Sequence, residues 1–162
     1  MGQNASGSTQ YTYSYDISSD TWTSVTPIET TMYERTAVYD VNRGKVILMG
    51  QSGNAGVQYT YSYDTNSDTW NPLSALPQNM VYDRTAVYDI TNGKVILMGQ
   101  NGNAGVQYTY SYNISSDTWT SLSVLPQNMV YDRTAIYTFT MGCTHPYAIN
   151  FNSESTMDNG TC

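Results

Sequence analysis

The chain has 162 residues, the size of one ordinary domain, and 13 acidic against 6 basic residues give it a net charge of −7. The basic residues (Arg35, Arg43, Lys45, Arg84, Lys94, Arg133) are scattered, which argues against nucleic acid as a partner, because phosphate binding needs clustered cations. No stretch approaches the roughly 18 apolar residues of a membrane-spanning helix, and the 16 tyrosines with abundant Ser, Thr and Asn favour strands and turns over helices.

The first residues, Met1, Gly2 and Gln3, repeat residues 49–51 and 98–100, so the chain is expected to begin in mid-repeat. That repetition also accounts for the loose match of the start to an N-myristoylation pattern, and no basic segment leads into an apolar one as in a signal peptide. Residues 10–15 and 20–25 read as two strands that match the later part of a larger unit.

That unit appears complete at Arg35 to Asp83 and again at Arg84 to Asp132, a period of 49 residues with only ten differences. Its first predicted strand is Arg35 to Tyr39. After a turn ending at Gly44 comes Lys45 to Met49, a continuous apolar run suited to a strand buried on both faces. A loop rich in Gly and Asn, 50–57, leads to Gln58 to Tyr63, where strict alternation puts Tyr59, Tyr61 and Tyr63 on one face. Asp64 to Ser67 turns the chain, Asp68 to Trp70 opens a fourth strand, and Pro77 marks the crossing to the next unit. Arg133 to Tyr137 then restarts the pattern, with Thr138 to Gly142 expected to stand in for a second strand.

The apolar strand ending in glycine (Val46 to Gly50), the pair Tyr63 and Asp64, and Trp70 six residues after that aspartate recur as Val95 to Gly99, Tyr112 with Asn113, and Trp119; the first copy keeps Tyr15, Asp16 and Trp22. In these residues the chain resembles the kelch repeat family over residues 1 to about 139. One departure is that Gln3, Gln51 and Gln100 stand where that family usually has a second glycine. The resemblance implies an all-β fold of four-stranded β-propeller blades, with the tyrosine stripes packing between blades. Two blades are complete and the terminal strands are complementary. A ring of three would need too wide a wedge, so either the array continues in a longer protein or chains share a blade, as a six-bladed pair or a filament.

Residues 140–162 form a separate tail with the only two cysteines, Cys143 and Cys162. Its Gly142-Cys143-Thr144 start, its centre around Ala148, Asn150 and Phe151, and its Asp158 to Cys162 end resemble short cysteine-bracketed modules of secreted environmental bacterial surface proteins. A disulfide of Cys143 with Cys162 would add about 3 kcal/mol and imply an oxidising, extracellular or cell-surface location. The alternative is zinc on the two thiols and His145, which gives three ligands at most. Asn4, Asn113 and Asn159 sit in glycosylation acceptor patterns.

No catalytic constellation is present. The single histidine, His145, lies in the tail, and the kelch-bladed copper oxidases need histidines this chain lacks, so neither enzyme activity nor a cofactor is expected. The acidic residues fall at repeated turns, where capping outweighs weak calcium binding. The opposite loop face is rich in amides and tyrosines (Asn54, Gln78, Asn79, Tyr82, Asn103, Gln127, Asn128, Tyr131), a composition suited to glycans. Arg84 and its copies are expected to pair with Glu34, Asp83 and Asp132. The leading expectation is a non-enzymatic extracellular scaffold or adhesion protein that forms homo-oligomers or filaments through a shared blade. The alternatives are a glycan-binding adhesin and an intracellular adaptor for a protein partner.

Overall fold

A computed structural model describes residues 1–3, 10–53, 56–79, 82–101, 106–126, 133–138 and 140–162. The described residues form strands and turns and no helix, as the composition predicts. Three antiparallel sheets follow one another along the chain. The first has β1 (Gly2–Gln3), β2 (Gln10–Asp16) and β3 (Thr21–Val25). The second has β4 (Tyr33–Asp40), β5 (Lys45–Gln51), β6 (Gln58–Asp64) and β7 (Thr69–Leu73), paired in chain order. The third repeats that order with β8 (Tyr82–Asp89), β9 (Lys94–Gln100), β10 (Gln107–Asn113) and β11 (Thr118–Ser121).

Turn chemistry sets the hairpins. The Asp64 carboxylate accepts the backbone N–H groups of Asn66 and Ser67, and the Asn113 side chain accepts those of Ser115 and Ser116. Each β6–β7-type turn closes on an aspartate in the left-handed region, Asp20 at φ 53°, Asp68 at 53° and Asp117 at 52°. Aspartate tolerates this conformation better than most residues. The turn between β4 and β5 closes on Gly44 at φ 66° and its copy on Gly93 at 62°, where a side chain would be strained.

The sequence places the start of β4 at Arg35, but the strand begins at Tyr33. A register shift between Tyr33 and Thr36 accommodates Glu34 at φ 47°, and Asp83 at φ 51° repeats it in β8. This bulge brings the chain against Gly50, where an added Cβ would lie 2.8 Å from Met32 Cε and 3.1 Å from the Tyr33 carbonyl. A side chain at this position would displace the Met32 tip and press on the Tyr33 carbonyl, so glycine suits the close approach.

The core lies between sheets. Ile47 and Met49 of β5 and Leu76 pack with Val95, Leu97, Tyr110 and Tyr112 of the third sheet. A smaller cluster joins Ile28 and Met32, which lead into β4, to Leu48 of β5.

Two expectations about the C-terminal half change. Residues 133–138 contact the third sheet through Arg133 and Tyr137 but are not part of a strand. Met141 and Gly142 are not a second strand beside them. They are β12 (Met141–Gly142) of the tail, paired in parallel with β13 (Met157–Asp158). Cys143 and Cys162 are joined by a disulfide with their Cα atoms 5.0 Å apart, so of the two alternatives for the tail the bridge is the one present. No helix among the described residues is long and apolar enough to cross a membrane.

Candidate functional site

The repeat builds one contact twice. In the second sheet the Asp68 carboxylate accepts the Tyr63 hydroxyl at 2.6 Å and reaches back to the link from the first sheet, accepting the Thr26 N–H and hydroxyl, both at 2.9 Å. Beside it Trp70 Nε1 donates to the Thr26 carbonyl at 2.9 Å. The third sheet repeats this on Ser74. Asp117 accepts the Tyr112 hydroxyl at 2.5 Å and the Ser74 N–H at 2.8 Å, and Trp119 Nε1 donates to the Ser74 carbonyl at 2.8 Å. The aromatic pairs match, with ring centres 4.8 Å apart for Tyr63 and Trp70 and 4.7 Å for Tyr112 and Trp119.

Electrostatics follow this geometry. Donation from Tyr63, then from Thr26, holds the Asp68 carboxyl below the usual carboxylate range. Burial works against Asp117, but bonds from Tyr112 and Ser74 outweigh it and hold that carboxyl down too. In return, burial and donation to Asp68 push the Tyr63 hydroxyl up to about 12.

A second repeated contact links first strands to preceding sheets through Arg and Gln. Arg35 donates to Gln10 at 3.0 Å, Arg84 to Gln58 at 2.6 Å and Gln51 at 3.3 Å, and Arg133 to Gln100 at 3.2 Å. The expected ion-pair partners act here through their charge, Glu34 on Arg84 and Asp83 on Arg133, while the guanidinium bonds run to amide acceptors; Asp132 lies outside the described residues. Burial lowers the Arg84 guanidinium to about 10.

Coverage differs between the copies. The stripe residues Tyr108, Tyr110 and Tyr112 are half-buried to fully buried, and Tyr59, Tyr61 and Tyr63 nearly so. Tyr11, Tyr13 and Tyr15 are exposed, and Trp22 is 70% exposed. The Trp22 side chain nonetheless sits as its copies do, 4.7 Å from Tyr15, whose hydroxyl donates to Asp20 at 2.6 Å.

Of the amide-rich loop face, Asn54, Asn103, Gln127, Asn128 and Tyr131 lie outside the described residues, as does Asn4 among the acceptor asparagines. Gln78 and Asn79 are half-buried, and Asn79 accepts from Gln58 Nε2 at 3.1 Å. Tyr82 is exposed on β8. Asn113 caps its own turn, and Asn159 accepts the N–H and hydroxyl of Thr161. A groove of about 480 Å³ runs along the link to the second sheet, lined by Pro27, Ile28, Tyr61 and Trp70 among others.

Sequence reasoning assigned Asp68 and Asp117 to turns and the tryptophans to strands. It missed the reach of both to Thr26 and Ser74. The available signal is a hydroxyl residue four positions after each tryptophan: Thr26, Ser74 and Ser123. The sheets and their seams define an all-β protein of repeated antiparallel units with a disulfide-closed tail. A scan against protein-family models and a search of curated proteins both return no match.

Proposed function

We propose that the chain is a non-enzymatic extracellular scaffold or adhesion protein built of kelch-type blades, and that it assembles with copies of itself by sharing a blade. The observation that carries this is uneven coverage of a repeated surface. The tyrosine and tryptophan face of β6–β7 packs against Ile28 and Met32 of the link before it, and that of β10–β11 against Ile47, Met49 and Leu76, while the same face of β2–β3 is exposed. Rings of this size left in water are a large apolar surface for a polar, acidic chain, and a neighbouring sheet would bury them.

The four-stranded antiparallel sheets and the kelch-like spacing of Gly50, Tyr63, Asp64 and Trp70 support the blade reading. Residues 133–138, which form no strand in the single chain, would complete a first strand once β2 and β3 of a second copy pair with them; Tyr137 already bonds Thr91 at 2.7 Å much as Tyr88 bonds Asp40. Together with β2 and β3 of another copy they would make one blade. The disulfide favours an oxidising location over an intracellular adaptor. The carboxylates at the turns are occupied in capping, and the one histidine lies in the tail beside Tyr147, which favours a structural over a catalytic role.

Light scattering and negative-stain electron microscopy of the purified chain test this reading. The expected result is a closed multi-chain ring or a filament. A monomer at every concentration would overturn it.

A further inference from the structure

The contact that joins one sheet to the next has two halves. One is the aspartate and indole of the following sheet. The other is a hydroxyl residue in the link that leaves the preceding sheet, together with the apolar residues beneath it. The chain forms this contact at Thr26 and at Ser74. It also carries one of each half without its counterpart.

The first sheet carries the aspartate and indole. Asp20 sits at φ 53°, as Asp68 and Asp117 do at 53° and 52°. The Tyr15 hydroxyl and ring hold Asp20 and Trp22 as their copies are held. This half is thus preformed before anything covers it. The third sheet carries the acceptor half. Ser123 follows Trp119 by four residues, as Ser74 follows Trp70, and Leu125 stands where Leu76 stands in the second sheet. Beneath it, Ile96 and Met98 occupy the places of Ile47 and Met49. Ile47 and Met49 are 0% and 1% exposed under the third sheet, Ser123 is exposed, and Ile96, Met98 and Leu125 are only half-buried.

We infer that the first sheet of one copy docks on the third sheet of a second copy, with Trp22 Nε1 donating to the Ser123 carbonyl and Asp20 accepting the Ser123 backbone N–H. The partner is a second copy of this chain because the surface required is an aspartate two residues before a tryptophan, beside a tyrosine stripe. That is the surface the chain itself uses twice to cover this kind of face. Each copy has one of each half, so the contact is head-to-tail. The inference rests on the self-assembly reading above and adds the residues that carry it. It also agrees with the place of residues 133–138, which lie against the third sheet where a docked β2–β3 hairpin would follow them.

Two charge variants and their mixture test it. Asp20→Lys removes the carboxylate acceptor, and Ser123→Asp sets a second carboxylate against Asp20. Neither substitution falls in a core cluster, and circular dichroism confirms that each variant keeps the β spectrum of the parent. Each alone is expected to raise the concentration for half-assembly by roughly a hundredfold, since like charge or a lost partner at a buried contact costs several kcal/mol. An equimolar mixture is expected to assemble again, because one seam then pairs the two substituted side chains and the other is unaltered. Analytical ultracentrifugation reads all four samples. A parent chain that stays monomeric overturns the self-assembly reading and this one with it. A parent that assembles alongside variants that assemble equally well overturns this contact alone, as does a mixture of folded variants that stays monomeric.

Discussion

The Tyr88 hydroxyl donates to the Asp40 carboxylate at 2.5 Å, joining the first strands of the two four-stranded sheets. Asp40 is fully buried, and it also accepts the Asn42 N–H at 3.1 Å and pairs with Arg43 at 2.9 Å. One carboxylate thus caps its own turn and fixes the neighbouring sheet. Tyr137 on Thr91 marks the next such position.

Asp40→Ala is expected to destabilise the chain by about 2 kcal/mol, because it removes a buried acceptor that caps its own turn and takes the Tyr88 hydroxyl, while exposed Asn42 and Arg43 can turn to water. Tyr88→Phe removes one bond and keeps the ring, so about 1 kcal/mol is expected. Urea unfolding midpoints at neutral pH check both. Equal losses would mean that the Asp40 capping bonds contribute nothing.

Alkaline pH acts on the same seams. Tyr63 and Tyr88 are both pushed up to about 12, by burial first and then by donation to Asp68 and Asp40, and Tyr112 is raised further for the same reasons. A free tyrosine ionises near about 10. Because the folded values lie above the unfolded one, this stabilisation is complete below pH of about 10 and is lost as pH rises through about 12. Urea midpoints should therefore stay flat up to about pH 10 and then fall. The double variant Tyr63→Phe with Tyr88→Phe should start lower and decline less steeply over that range. An unchanged slope would show that these hydroxyls do not govern alkaline unfolding.

The repeat made the strands legible because alternation and period fix residue types at fixed distances. Lys45 to Met49 and Gln58 to Tyr63 fall within β5 and β6 almost end to end. The bulge at Glu34 was not legible, since a left-handed glutamate has no signature and the glycine beside it, Gly50, lies 16 residues along the chain. The bond of Trp70 to Thr26 was hidden for a related reason. Its acceptor is a backbone carbonyl 44 residues away, and every residue has one. The cysteine pair was readable because no other partner existed, whereas the parallel pairing of Met141 with Met157 had no pattern to announce it.

The three tryptophans offer a control within one chain. Trp119→Phe loses the bond to Ser74 and part of the packing on Tyr112, and about 1 kcal/mol or somewhat more is expected. Trp22→Phe changes a 70% exposed side chain with no bond across to another sheet, so the isolated monomer should change by less than about 0.5 kcal/mol. Urea unfolding below the assembly concentration separates the two. A large loss at Trp22 in dilute monomer would mean that the first sheet depends on it internally.

The tail should respond to reductant on its own. Tyr147 and Ile149 are almost fully exposed and Phe151 is 43% exposed, so residues 143–162 bury little apolar surface of their own. Their order rests on the two-residue pairing of β12 with β13, the bridge between Cys143 and Cys162, and side-chain bonds such as Asn150 to Thr161. Closing a loop of 19 residues is worth about 3 kcal/mol by chain entropy, more than such a segment recovers from a few exposed hydrogen bonds. The bridge touches none of the seams at Thr26, Ser74 or Asp40. Reduction is therefore expected to release amide protection throughout 143–162 while β4 to β11 keep theirs. Hydrogen exchange by mass spectrometry with and without reductant measures this segment by segment. Loss of protection in β5 and β9 under the same conditions would show that the tail supports the sheets after all.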